Sequence, residues 1–345
     1  MRAVVLHGPR NVRVEEVPDP VLVEEGDAVV RVVAAAVCGS DLWTYRGIAP
    51  SAGPARFGHE FVGTVEAVGP AVHTLRIGDF VIAPFNVSCR NCRNGVHTSC
   101  GRIAHWGVSE PSRQVMDAGQ GEMVRVPLAD GTLVATPGPP SPDQIPSLLA
   151  LCDVMATGHH AARITRIGPG ETVVVVGDGA VGLCAVLAAR AAGAESIIVM
   201  SRHPARQAIA QDFGAADIVA LRGKEGIHEV RDRLRGPADV ALECVGTDLS
   251  LRQAIGTVRP GGRLGCVGLP LGITEFPYRE VFARNLSVTA GSAPARAYLP
   301  ELIKEVWSGA IAPGRVFDAA FSLERAADAY AAMDSRRVVK ALLRP

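Results

Sequence analysis

Val173-Val174-Val175-Val176-Gly177-Asp178-Gly179-Ala180-Val181-Gly182 sets a run of β-branched residues directly before glycines spaced G-x-G-x-x-G. The valines predict a strand buried on both faces, and the alanine-rich stretch that follows predicts a helix. Between strand and helix, each glycine has a separate task. Gly177 permits the tight turn, Gly179 lets backbone approach a pyrophosphate, and Gly182 allows close helix–strand packing. The helix N-terminus favours the anion. Gly177, Gly179, Val181 and Gly182 are therefore the first candidates for binding a dinucleotide.

Outward from this turn, strand and helix patterns alternate, which predicts βαβ units and a parallel sheet. Thr172 to Val176 is a strand, Ala180 to Ala192 a helix, Ser196 to Met200 a strand and Pro204 to Phe213 a helix. The strand Asp217 to Ala220, a polar helix around Glu225 to Leu234 and the strand Ala238 to Glu243 continue it. Leu249 to Val258, Gly262 to Val267 and Leu286 to Ala290 complete the series. The first 150 or so residues read differently. Short valine-rich runs, Ala28 to Val33 and Phe61 to Val65 among them, are bounded by Gly, Pro and Asp turns, as in a β-rich domain. The tail offers helical stretches near Tyr298 to Trp307 and Leu323 to Met333, then a strand Val338 to Leu343.

The end of the second strand bears on cofactor choice. A fold selective for NAD usually carries an acid about 20 residues beyond the glycines, bonded to the ribose hydroxyls. Here the strand ends in Ser201-Arg202-His203. A guanidinium grips phosphate well with its planar fork. The missing acid and the presence of Arg202 together predict NADP in preference to NAD, with Ser201 and His203 beside it.

Composition narrows the class. At 345 residues the chain is long enough for two or three domains, and 48% hydrophobic residues suffice for buried cores. Lys plus Arg equals Asp plus Glu at 35 each, and no basic run occurs, which argues against nucleic acid or an anionic membrane as partner. No apolar run is long enough to span a bilayer. Cys152, Cys184, Cys244 and Cys266 stand singly in apolar surroundings, as expected of buried, reduced thiols in a cytoplasmic protein.

Cys38-Gly39-Ser40-Asp41 and Gly58-His59-Glu60 bring a thiol, an imidazole and two carboxyls near glycines. Zinc takes such S, N and O ligands, and a catalytic zinc needs only three from the protein. This pairing resembles the catalytic metal site of the zinc-dependent medium-chain dehydrogenases, the zinc alcohol dehydrogenase family. The resemblance covers nearly the whole chain in the family's order. It implies an α/β protein: a GroES-like β-rich catalytic domain (1–152), a Rossmann doubly wound parallel sheet (153–292), and a return to the catalytic domain (293–345).

Residue by residue, the resemblance implies that Cys38 and His59 are zinc ligands. The third ligand precedes Thr157-Gly158 by a fixed short step, which lands on Asp153 rather than Cys152. Aspartate here is similar to the bacterial secondary-alcohol branch, which tends to use NADP. Glu60 matches a glutamate that ligates zinc in a resting state or stays just outside it. Asp41 matches the carboxylate that orients the histidine, and Ser40 the hydroxyl that accepts the alcohol's proton. Trp43 stands where a relay histidine often lies, and so shapes the pocket. Phe85 matches a lining position of the substrate cleft, and Lys340 a base near the cofactor phosphates. Of the four cysteines of the family's structural zinc lobe, Cys89, Cys92 and Cys100 match the last three. Asn86 or a short deletion replaces the first, and His97 is an alternative fourth ligand.

The expected activity is hydride transfer between an alcohol and NADP, giving an aldehyde or ketone, in a homodimer or homotetramer. A zinc polyol or amino-alcohol dehydrogenase of the sorbitol or threonine type is the alternative on the same scaffold. A cofactor-binding sensor without catalysis would be marked by lost zinc ligands, and Cys38, His59 and Asp153 are all in place.

Overall fold

The valine run forms the strand expected of it, Thr172–Val176, and its Val173, Val174 and Val175 are shut off from solvent. In the computed structural model, which describes residues 1–49, 53–89, 96–107 and 117–345, this strand lies inside a parallel sheet. Among the described residues the sheet has six strands. Their order is Asp217–Val219, Ser196–Met200, Thr172–Val176, Ala238–Glu243, Val258–Cys266 and Ser287–Ala290. The chain thus begins in the middle, winds to one edge, returns and winds to the other. That is the doubly wound pattern, in which ligands as a rule bind outside the strand carboxyl ends where the order reverses.

Helices Ala180–Ala191, Pro204–Phe213, Gly223–Leu234 and Asp248–Thr257 connect these strands. The last is held at its start by a capping box, in which the Thr247 hydroxyl accepts from Ser250 N–H. Val174, Val176, Ile198, Val219, Val230, Ala241, Leu251 and Leu264 fill one core of this unit. Cys152 and Cys184 are buried as expected. Cys244 and Cys266 are only half-buried, because they stand at strand carboxyl ends.

The chain divides into two units, Met1–Asp153 with Pro294–Pro345, and Val154–Ala293. Asp153 therefore falls in the first unit, not the second as the sequence suggested. The first unit is β-rich. Its larger sheet runs Val134–Ala135, Phe80–Ala83, Phe61–Val68, Ala28–Ala36, Lys340–Arg344 and Phe317–Ser322, with Met123–Val126 also paired to Ala28–Ala36. The C-terminal strand Lys340–Arg344 thus lies beside a strand from the start of the chain. Buried Val4, Val30, Phe61, Val124, Leu133, Tyr330 and Leu343 share its core.

Candidate active site

Strand register gathers the metal-ligand candidates. Ala35 pairs with Phe61, and Ala36 with Leu342, across three neighbouring strands. Cys38, His59, Glu60 and Lys340, a few residues from those pairs, consequently emerge at one end of the sheet. Backbone bonds fix the join: Ala36 N–H donates to Glu60 O at 3.0 Å and Val37 N–H to Ala341 O at 3.1 Å. Asp153 arrives from the turn after the helix Ile145–Ala150. Its neighbour Cys152 donates from Sγ to Phe61 O at 3.2 Å and accepts at its carbonyl from Phe85 N–H at 3.1 Å.

One ligand atom from each of Cys38, His59, Glu60 and Asp153 lies within 4.8 Å of the others, and no comparable cluster occurs among the described residues. Cys38 Sγ and His59 Nε2 each stand 3.4 Å from Asp153 Oδ2. Ligand atoms about 2.0–2.3 Å from a tetrahedral zinc are roughly 3.3–3.7 Å apart. Cys38, His59 and Asp153 fit that ion. Glu60 stands back, its Oε1 4.0 Å from His59 Nε2. Both its oxygens face Lys340 Nζ, at 2.8 and 2.7 Å, and Nζ also donates to Val37 O at 3.2 Å.

Electrostatics points the same way. Burial, then the Asp153 and Glu60 carboxylates, push the Cys38 thiol up to about 11. Burial works against a charged His59 ring, yet Asp41 and Cys38 lift it well above the ordinary histidine range. Two carboxylates, a thiol and an imidazole gathered in one buried pocket form a donor set that suits a divalent cation.

Asp41 contacts two of these candidates at once. Its Oδ1 lies 3.3 Å from His59 Nδ1, and its Oδ2 accepts Cys38 N–H at 2.9 Å. With Nδ1 facing the carboxylate, Nε2 turns to the ligand cluster. Ser40 is half-buried at the start of the short helix Asp41–Tyr45, and Trp43 and Phe85 are half-buried as well.

Lys340 lies inside the first unit. Its side chain is 1% exposed and ion-paired with a fully buried carboxylate. Burial disfavours the ammonium, but Glu60 overrides that and holds it above the ordinary lysine range. Its polar contacts are Glu60 and Val37 O, and Nζ also lies over the Phe317 ring, 5.7 Å from its centroid.

For the structural lobe, Cys89 and Cys100 bring their sulfurs to 3.3 Å. Cys92 lies outside the described residues. Asn86 is buried, and His97 turns its Nδ1 to Ser88 Oγ at 2.9 Å.

In the second unit, Gly177 has φ +120°, and a Cβ at Gly182 would meet Gly177 O at 2.1 Å. A Cβ at Gly179 would meet nothing within 4 Å, so its bare side faces open space beside half-buried Val181. Ser201 is buried and donates to Asp178 Oδ2 at 2.9 Å, while Arg202 is exposed and His203 half-buried. Arg206, one helical turn on, reaches Asp178 Oδ1 at 3.2 Å. Sequence reasoning missed the Asp178–Arg206 pair.

Known proteins match along the chain. The model for the alcohol dehydrogenase GroES-like domain matches residues 24–138, and that for zinc-binding dehydrogenase residues 180–308. Zinc-type alcohol dehydrogenase B of Aspergillus flavus is 31% identical over 100% of this chain and 81% of its own length. Alcohol dehydrogenase TADH from Thermus sp. ATN1 superimposes with a TM-score of 0.91 at 34% identity, covering 100% of this chain and 99% of that one. A Sinorhizobium meliloti 1021 protein assigned as a zinc-binding dehydrogenase, solved bound to NADP, gives 0.82 at 28%, covering 100% and 99%. The ligand cluster, the doubly wound sheet and these matches agree: the chain belongs to the zinc-dependent medium-chain dehydrogenase/reductase family and is an oxidoreductase of the zinc-type alcohol dehydrogenases.

Proposed function

We propose that the enzyme interconverts a small alcohol and its aldehyde or ketone with NADP, as a cytoplasmic homodimer or homotetramer. The observation that carries this reading is the convergence of Cys38 and His59 on Asp153, each 3.4 Å from Oδ2, with Asp41 behind the histidine. Those three residues hold zinc, and Glu60 stays outside it, restrained by Lys340. Zinc bound there supplies the positive charge that makes an alcohol more acidic and a carbonyl more electrophilic. Ser40, two residues after Cys38, accepts the alcohol's proton, while Trp43 and Phe85 shape the space for the substrate. Asp153→Ala should lose zinc and activity but keep cooperative unfolding, as checked by metal analysis and thermal melts. An Asp153→Ala enzyme with full zinc and turnover would defeat this assignment.

The cofactor reading rests on Arg202, exposed at the end of the second strand where no acid follows. The NADP bound to the Sinorhizobium relative favours it too. One observation favours NAD instead: Asp178 brings a carboxylate to Ser201, the place of the missing acid. The two are separable. Charge-assisted hydrogen bonds contribute about 1.5–3 kcal/mol, roughly ten- to a hundred-fold. Arg202→Ala should raise KM for NADP by that factor and leave KM for NAD nearly unchanged. Equal losses with both cofactors would make Arg202 structural. A shift toward NADP in Asp178→Asn without an Arg202 effect would favour NAD as the native cofactor.

A further inference from the structure

We infer that Gln120 and Tyr330 are positioning residues for the metal ligand His59, acting through Asp41. Gln120 is buried, and its amide is held at both ends. Its Nε2 donates to Ala36 O at 2.9 Å and to Asp41 Oδ2 at 3.4 Å, and its Oε1 accepts from Tyr330 Oη at 2.9 Å. A backbone carbonyl can only accept, so Ala36 fixes which end is nitrogen, and the tyrosine hydroxyl holds the other end. Asp41 Oδ2 is thereby tied to Gln120 and to Cys38 N–H, while Oδ1 lies 3.3 Å from His59 Nδ1, and the Tyr330 hydroxyl also stands close to the Asp41 carboxylate. The chain Tyr330–Gln120–Asp41–His59 runs from the C-terminal helix Ala326–Asp334 to the ligand cluster.

The backbone is built to admit this side chain. Gly58, directly before His59, has φ +94°, and a Cβ there would stand 2.3 Å from Gln120 Cγ. Gln120 N–H donates to Phe57 O at 3.1 Å and Gly119 N–H to Gly58 O at 2.9 Å, so Gln120 is pinned to the segment that carries the histidine. Tyr330 is itself fixed by its neighbours, with its ring 5.4 Å from that of Tyr45 and 6.3 Å from that of Phe57. A merely structural role would satisfy buried polar groups without a bearing on the metal. The inference rests on Cys38, His59 and Asp153 holding the metal.

The test compares wild type, Gln120→Met and Tyr330→Phe, each alone and combined with Asp41→Asn. Zinc affinity is read by chelator competition, and ligand geometry by the visible spectrum of the Co2+-loaded protein. Loss of a residue that orients a metal ligand weakens metal binding about 10–100-fold. Each single variant should fall in that range with an altered cobalt spectrum. In the Asp41→Asn background neither should cost anything further, because the route to His59 is already cut. Unchanged affinity and spectrum, or an equal loss in both backgrounds, would overturn the inference and leave the pair structural. Should Gln120→Met not fold, Tyr330→Phe, which removes one oxygen, carries the same test. A wild type that takes up no zinc would defeat the metal reading itself, a result distinct from zinc-binding variants that behave as wild type.

Discussion

Ser40 carries the sharpest prediction at the scale of single residues. It lies two residues from Cys38 and is half-buried at the start of the helix Asp41–Tyr45. A single proton-transfer group contributes about 10²–10⁴-fold. Ser40→Ala should lower turnover by that order and leave zinc content and NADPH binding intact, measured with a slow substrate so that chemistry limits the rate. Wild-type turnover would remove Ser40 from the mechanism. At this scale the sequence was informative where residues lie close in the chain. Cys38, Asp41, His59 and Glu60 sit in two short glycine-marked segments, and the family resemblance pointed to Asp153 through its step to Thr157-Gly158. Gln120 and Tyr330 were invisible, because neither is near Asp41 in the chain and neither belongs to a motif. Lys340 was visible, but its partner was not: pairing with Glu60 depends on a strand contact between the two ends of the first unit.

Among elements, the turn between Thr172–Val176 and the helix Ala180–Ala191 separates packing from binding. An added methyl at Gly182 would press on the carbonyl of Gly177, a backbone atom with little freedom. Overpacking of this kind costs about 1–3 kcal/mol. Gly182→Ala should therefore lower the unfolding midpoint as well as cofactor affinity. Gly179 has open space around its missing Cβ and an ordinary φ of −72°. Gly179→Ala should melt nearly as wild type, yet bind NADPH more weakly, because the methyl stands where backbone must approach the pyrophosphate. A fluorescence titration with NADPH beside a melting curve distinguishes the two, and undiminished binding in Gly179→Ala would place the pyrophosphate elsewhere. The elements of the second unit were legible because buried parallel strands and their helices alternate in sequence. The first unit was legible only as β-rich. Its register joins Ala36 to Leu342 and Ala35 to Phe61 across long separations, and short valine runs do not encode which strand pairs with which.

For the molecule as a whole, the candidate metal ligands belong to the unit Met1–Asp153 with Pro294–Pro345, and the glycine-rich turn Gly177–Gly182 to the unit Val154–Ala293. Each unit has its own buried core. Removal of zinc by a chelator should therefore abolish alcohol oxidation and leave NADPH binding largely intact, a result read by activity and fluorescence on one sample. Loss of both together would show that the nucleotide site depends on the metal. The most direct measurement of the account is zinc content and alcohol-dependent NADP reduction on the same preparation, for wild type, metal-stripped wild type and Asp153→Ala. Zinc and activity should be present together in the first, lost together in the other two, and restored together when zinc is returned to the stripped wild type. Full activity in zinc-free protein would contradict the account.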